Sequence, residues 1–238
     1  MKVLIIADSL AMPRNENQDI VNPDETWPTL ISALNDNVQI QSFALRARVS
    51  RSLNESALHN NYLASYKPDV IIIQIGVVDS MPRIISLLES RILNKKIRGF
   101  NLVPAFIREH YIRCKSSRRG YITARNPLAK VHTKPNNFKK HFSDFIEKTS
   151  RSFHHKIRFI IIPILINEAY MEQKSPGAVS NKNLYNSFLR EMARFKNVQF
   201  LDEGLFNNRP PEEVFCSDGY HLNPAGNRLL AEYVSRQL

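Results

Sequence analysis

The stretch "VLIIADSLAMPR", residues 3–14, opens with five apolar residues and breaks at Asp8-Ser9. A short continuous run rich in β-branched side chains reads as a strand buried on both faces. Residues just past such a strand lie at the carboxyl edge of a sheet, where open α/β folds keep their ligands. Ser9 therefore stands either as a nucleophile or as the cap of the next turn.

Four further stretches read as strands: "VQIQSF" (38–43), "DVIIIQIG" (69–76), "RFIIIPI" (158–164) and "VQFLD" (198–202). Amphipathic segments separate them, among them "DETWPTLISAL" (24–34), "NLYNSFLREMARF" (183–195) and "PAGNRLLAEYVSRQL" (224–238). Strands alternating with helices predict a parallel, doubly wound α/β sheet of about five strands. The third and fourth strands are unusually far apart. The excess, at about residues 95–152, is expected to be a basic, mainly helical insertion in a single domain spanning 1–238. Within it "KSSRRGYITARNPLAKVHTKPNN" (115–137) reads as a long loop.

Composition narrows the class. The chain has 238 residues, 43% of them hydrophobic and 23% charged, as in ordinary globular proteins. No apolar run reaches the roughly 20 residues that span a bilayer, and the start lacks a signal-peptide pattern. Cys114 and Cys216 have no metal-type spacing, so reduced thiols in a cytoplasmic protein are expected. The net charge of +11 is uneven: residues 83–158 hold 19 Lys/Arg against 4 Asp/Glu. Such a block attracts polyanions or an anionic membrane surface.

Three segments fall at predicted carboxyl edges: Asp8-Ser9-Leu10, "GVVDSMPR" (76–83) and "SDGYHLNPAG" (217–226). A serine, a histidine and an aspartate in one cleft satisfy nucleophilic catalysis. The imidazole takes the serine proton, and the carboxylate fixes its tautomer. Asp218 and His221, three residues apart around Gly219, suit presentation from one loop. Asn223 reads as the cap of the last helix.

On these residues the chain resembles the SGNH (GDSL-type) hydrolase family. "ADSL" (7–10) is similar to its first block, "GVVD" (76–79) to its third and "DGYHLN" (218–223) to its last. The resemblance implies a three-layer, flavodoxin-like fold, with Ser9 as nucleophile, His221 as base and Asp218 as acid. It also implies an oxyanion site at the Ser9 amide and near Gly76. Two departures concern that site. The family's second block supplies a glycine N–H, but "RARVSRSL" (46–53) has no glycine, and Arg51 is placed there. The asparagine of the third block is Val78, and losing one such donor costs about 10²–10³ in rate. Arg83, four residues past Asp79, is the expected substitute through its forked guanidinium. Asp8 and Asp79 are expected to brace the strand-end turns, and Arg14 and Asn167 to line the same cleft.

"SLAMPR" (9–14), "WPTL" (27–30) and the "GxVD…PR" form resemble SGNH-like proteins of bacterial surface-polysaccharide biosynthesis. This implies a serine esterase acting on O-acylated, chiefly O-acetylated, carbohydrate. Two alternatives stay open: an O-acyltransferase on the same site, or a catalytically weak scaffold that binds an acidic glycan or nucleic acid. Tyr111, Tyr121, Phe138 and Phe142 among the bases would then stack on nucleobases. No cofactor and no metal is expected, since His154-His155 point to different helix faces. His132 and His141 are read as surface residues.

Overall fold

The computed structural model describes every residue except 17–18, 84, 86–88, 90–91, 94–95, 98–99, 102, 118–130 and 154–155. Five strands form one parallel sheet: β1 (Lys2–Ala7), β4 (Gln39–Ala44), β5 (Val70–Gln74), β8 (Arg158–Ile161) and β9 (Val198–Phe200). Their order is β4-β1-β5-β8-β9, with every pairing parallel. The carboxyl ends of all five strands therefore lie at one edge.

Alternation along the strands divides the core in two. Leu4, Ile6, Ile71, Ile73, Phe159 and Ile161 face one layer, and Val3, Ile5, Ile72 and Ile160 face the other. The second face is covered by the helices Trp27–Leu34 and Pro224–Ser235, packed together. Trp27 anchors them: its ring N–H donates to Gln74 Oε1 (2.8 Å), and its amide donates to Asn227 Oδ1 (3.0 Å).

The first face corrects the expected insertion. Its last part is the helix Pro135–Ser152, which packs against the helix Ala178–Glu191 and the 3-10 segment Ser50–Asn54. Phe138, Phe142, Phe145 and Ile146 are 0–1% exposed. Their i, i+4, i+7, i+8 spacing makes one apolar face beneath the lysines. This helix is the crossover that a parallel β5–β8 pair needs, so the excess chain lies before it. Phe138 and Phe142 are thereby closed to nucleobase stacking. His141, expected at the surface, is half-buried and hydrogen-bonded through Nδ1 to Ser50 Oγ (3.0 Å). His132 is half-buried too. Tyr121, His154, His155 and most of the expected 115–137 loop lie outside the described residues.

Two short antiparallel pairs were not legible as strands. One joins β2 (Arg14–Glu16) to β3 (Asp19–Val21), and the other joins β6 (Lys96–Ile97) to β7 (Phe100–Asn101). Among the described residues no helix is long and apolar enough to cross a membrane.

Candidate active site

β1 ends at Ala7, and the Asp8 amide extends its ladder by donating to Gln74 O (3.2 Å). The chain then turns into the short 3-10 helix Ser9–Ala11, capped by Asp8, whose Oδ1 accepts from Leu10 N (3.0 Å). That turn lifts Ser9 onto the sheet edge. Asp8 itself is fully buried, and its Oδ2 has no partner among the described residues. Burial pushes its carboxyl up to about 7, against the pull of the Leu10 amide.

The other half of the site is the loop between Cys216 and His221. Cys216 N donates to His221 O (2.8 Å), and Gly219 N donates to Cys216 O (3.0 Å). Gly219 takes φ +86°, where an added Cβ would meet the Tyr170 ring at 2.5 Å. Inside the turn, Asp218 Oδ1 accepts from the amides of Tyr220 (3.1 Å) and His221 (3.0 Å). Its Oδ2 is left facing His221 Nδ1 at 2.6 Å, and Nε2 stands 3.1 Å from Ser9 Oγ. Burial opposes charge on Asp218, but the His221 bond and the two amides prevail and hold it at about 2. The three residues thus form a continuous chain, although Ser9 and His221 lie 212 positions apart in sequence.

Arg14 enters this chain directly. Its Nη1 lies 3.0 Å from Asp218 Oδ2 and 2.8 Å from His221 Nδ1, and its Nη2 lies 3.0 Å from Glu16 Oε2. Asp19, at the other strand of the hairpin, accepts from Ser217 N (3.1 Å) and Ser217 Oγ (2.6 Å). The β2–β3 hairpin therefore grips the acid loop at two points. His221 Nδ1 holds at most one proton in the neutral ring, so it either donates to Asp218 or accepts from Arg14. Only the first arrangement frees Nε2 to receive the Ser9 proton.

Two clefts flank Ser9. The larger, about 450 Å³, is lined by Ser9, Ala47, Val78, Met81, Arg83 and Lys174 among others. The smaller, about 170 Å³, is lined by Ser9, Met12, Arg14, Glu16, Arg46 and His221 among others. A separate hollow of about 470 Å³, beside Glu25, Arg209 and Arg228, holds none of these groups.

The remaining expected residues divide. Val78 and Arg83 line the larger cleft, and Arg83 Nη2 reaches Val78 O at 3.5 Å. Gly76 lines neither cleft. It turns β5 into the helix Val77–Ser80 at φ +144°, where a Cβ would lie 2.7 Å from Ile164 Cδ1. Arg51 is exposed on the segment Ser50–Asn54 and also lines neither cleft. The residue near Ser9 on that side is Ala47, at φ +55°. A small residue just past β4, at the same sheet edge as Ser9, was the signal for it. Asn167 caps the helix Glu168–Lys174 by accepting from Tyr170 N (3.2 Å) and lines a different hollow. Its amide donates to Gly219 O (2.7 Å), so it braces the acid loop from behind.

Asp79 ties the helix Val77–Ser80 to Ser50. It is buried and accepts from Ser50 N (2.9 Å) and Ser50 Oγ (2.9 Å). Burial pushes it up to about 6, against the hydrogen bonds of Thr133 and Ser50. Among the described residues no group of three His, Cys, Asp or Glu could hold a metal ion.

This fold has known counterparts. Residues 8–229 match the model of the GDSL-like Lipase/Acylhydrolase family. No curated protein matches the sequence. A lipase/acylhydrolase from Enterococcus faecalis superposes with a TM-score of 0.62 at 14% identity, over 99% of this chain and 94% of that one. An acetylxylan esterase from Geobacillus stearothermophilus gives 0.61 at 14%, over 99% and 93%. TesA gives 0.63 at 13%, over 100% and 98%. These likenesses are of fold, and the matched family model spans both Ser9 and His221. The chain belongs to the GDSL-like lipase/acylhydrolase family and is an ester-hydrolysing enzyme.

Proposed function

We propose that the protein is a serine esterase that removes acyl groups from O-acylated carbohydrate through an acyl-enzyme. The observation that carries this reading is the unbroken Ser9–His221–Asp218 chain, with contacts of 3.1 and 2.6 Å. Ser9 Oγ bonds to the ester carbonyl carbon while its proton passes to Nε2, and Asp218 stabilises the imidazolium. The bond from that carbon to the alcohol oxygen breaks, and Nε2 returns the proton to the departing oxygen. Water then gives a proton to Nε2 and bonds to the acyl carbon. Ser9 Oγ leaves with that proton, and a carboxylic acid is released.

The oxyanion is assigned to the backbone N–H groups of Ser9 and Ala47. Ala47 lines the cleft beside Ser9, and its left-handed conformation distinguishes it from its neighbours. Val78 adds no side-chain donor, so turnover is about 10²–10³ below that of a site with a third donor. Two observations support a sugar as the alcohol. Arg14, Glu16 and Arg46 give the cleft beside His221 a polar lining suited to hydroxyl groups, and one structural neighbour is an acetylxylan esterase. A setting in bacterial surface-polysaccharide metabolism belongs to the same proposal and rests on the "GxVD…PR" and "WPTL" resemblance.

The test compares the wild type with Ser9→Ala on p-nitrophenyl acetate and on acetylated xylo-oligosaccharide. Loss of both activities in the variant is expected. Equal turnover by the two proteins on either substrate overturns the serine mechanism.

A further inference from the structure

The two clefts have separate duties once the proton is followed. The departing alcohol oxygen takes its proton from His221 Nε2, so the alcohol must sit on the His221 side of Ser9. His221 lines the smaller cleft and not the larger. The acyl group therefore enters the larger one. Its volume of about 450 Å³ falls within the usual range for small-molecule pockets. Liquid water takes about 30 Å³ per molecule, so a two-carbon acyl group would leave most of this cleft to solvent.

The lining of the larger cleft suggests what else it holds. Val77, Val78, Met81, Pro82, Ile85 and Met171 make apolar walls. Arg83 and Lys174 bring two positive charges, and among the described residues no Asp or Glu lines the cleft. Arg83 is half-buried, yet among the described residues its hydrogen bond is a long one, Nη2 to Val78 O at 3.5 Å. Lys174 Nζ reaches Tyr170 Oη at 3.3 Å and Asp218 O at 3.5 Å, both neutral acceptors. Among the described residues neither cation is in an ion pair. Asp79 and His132 are the titratable groups that act on Arg83, and Asp79 is already occupied by Ser50. A guanidinium with five donors, held against apolar walls and using one of them weakly, is a site for an anion.

Resting on the esterase reading above, we propose that the preferred acyl group is longer than acetyl and carries an anionic end group, carboxylate or phosphate, held by Arg83 and Lys174. The apolar walls take the methylene chain. The two cations take the charge, and the ester carbonyl meets Ser9.

Two aryl esters of equal chain length test this: p-nitrophenyl hexanoate and the mono-p-nitrophenyl ester of adipic acid. A third ester, with a phosphate replacing the free carboxylate, separates the two anions. Wild-type kcat/KM is expected to favour an anionic ester by about tenfold or more, the worth of one charge-assisted hydrogen bond. That preference should shrink as salt is raised. Arg83→Met and Lys174→Met should each reduce the ratio of anionic to neutral turnover, and the double variant should bring it near one. Equal kcat/KM for all three esters in the wild type overturns the proposal, as does a preference that survives the double variant. If a variant fails to fold, the wild-type ratio and its salt dependence still decide. Ser9→Ala is run alongside: turnover that survives it sinks the esterase reading, whereas abolished turnover with no charge preference sinks the anion site alone.

Discussion

Among the described residues, serine, histidine and aspartate come together at two places wired in opposite order. At the sheet edge His221 stands in the middle, between Ser9 Oγ and Asp218 Oδ2. Inside the fold the middle place belongs to serine: Ser50 Oγ donates to Asp79 (2.9 Å) and meets His141 Nδ1 at 3.0 Å. A hydroxyl has one proton. At Ser50 that proton is spent on Asp79, so His141 must donate rather than accept. Ser50 is also 0% exposed, out of reach of any ester. The three residue types do not make a catalytic site; a base facing the serine proton does, together with an open cleft.

The strongest way to break this contrast is to remove each serine in turn. Ser9→Ala should lower kcat by about 10⁴-fold or more and leave the urea midpoint near that of the wild type. Ser50→Ala should do the reverse. It deprives a buried carboxylate of a donor and should cost about 1–3 kcal/mol of stability, read from urea unfolding, with far less effect on turnover. A Ser50→Ala protein as stable as the wild type but inactive would overturn the distinction.

Asp218→Asn comes next. The amide retains the shape but cannot favour the same His221 tautomer, and kcat should fall by about 10²–10⁴-fold. Arg14→Met tests the cation that only the outer grouping possesses in contact. With one charge-assisted hydrogen bond to Asp218 gone, kcat/KM should drop about tenfold, with partial recovery in Arg14→Lys. An Arg14→Met enzyme of wild-type activity would reduce Arg14 to a brace of the hairpin.

The two aspartates also respond oppositely to pH. Asp79 is raised to about 6, so the folded state holds its proton more tightly than the unfolded chain. Its contribution to stability is complete below about pH 4 and is lost as pH rises through about 6. Asp218 is lowered to about 2, so its contribution is present above about pH 4 and is lost as pH falls through about 2. Melting temperatures across pH 2–7 should show the upper slope flattened in Asp79→Asn and the lower slope flattened in Asp218→Asn. Asp8, raised to about 7, adds to the upper slope, so Asp79→Asn should flatten it in part. Ala47, which lines the Ser9 cleft three residues ahead of Ser50, gives the smallest effect. Relief of its φ of +55° in Ala47→Gly should add up to about 1 kcal/mol of stability, measured by the same unfolding.

What the sequence disclosed follows from how each feature is encoded. The five strands were visible because buried parallel strands are continuous apolar runs, and "VLIIA" and "VIIIQ" have nothing else to be. Ser9, Asp218 and His221 were visible because a strand end and a four-residue turn are local. The stretch Pro135–Ser152 was legible as a helix, but its lysines disguised its place in the core. Counting its charges made it a surface element, whereas Phe138, Phe142, Phe145 and Ile146 at helical spacing made it core. Ala47 stayed unread: its place just past β4 was its one signal, since a backbone torsion leaves no mark on a small side chain. Arg14 was read as a cleft residue, but its grip on Asp218 depends on a three-residue hairpin too short and too polar to register as a strand.

One distance along the chain carries a consequence for biosynthesis. On the proposed mechanism the nucleophile precedes its base by 212 residues, so a nascent chain exposes Ser9 long before His221 leaves the ribosome. β1 must pair with β4 and β5 and wait. On the proposed mechanism, a chain arrested short of residue 221 has a serine with no base and is expected to hydrolyse nothing. Appearance of esterase activity in a timed translation reaction would therefore mark synthesis past residue 221 rather than folding of the segment that carries Ser9.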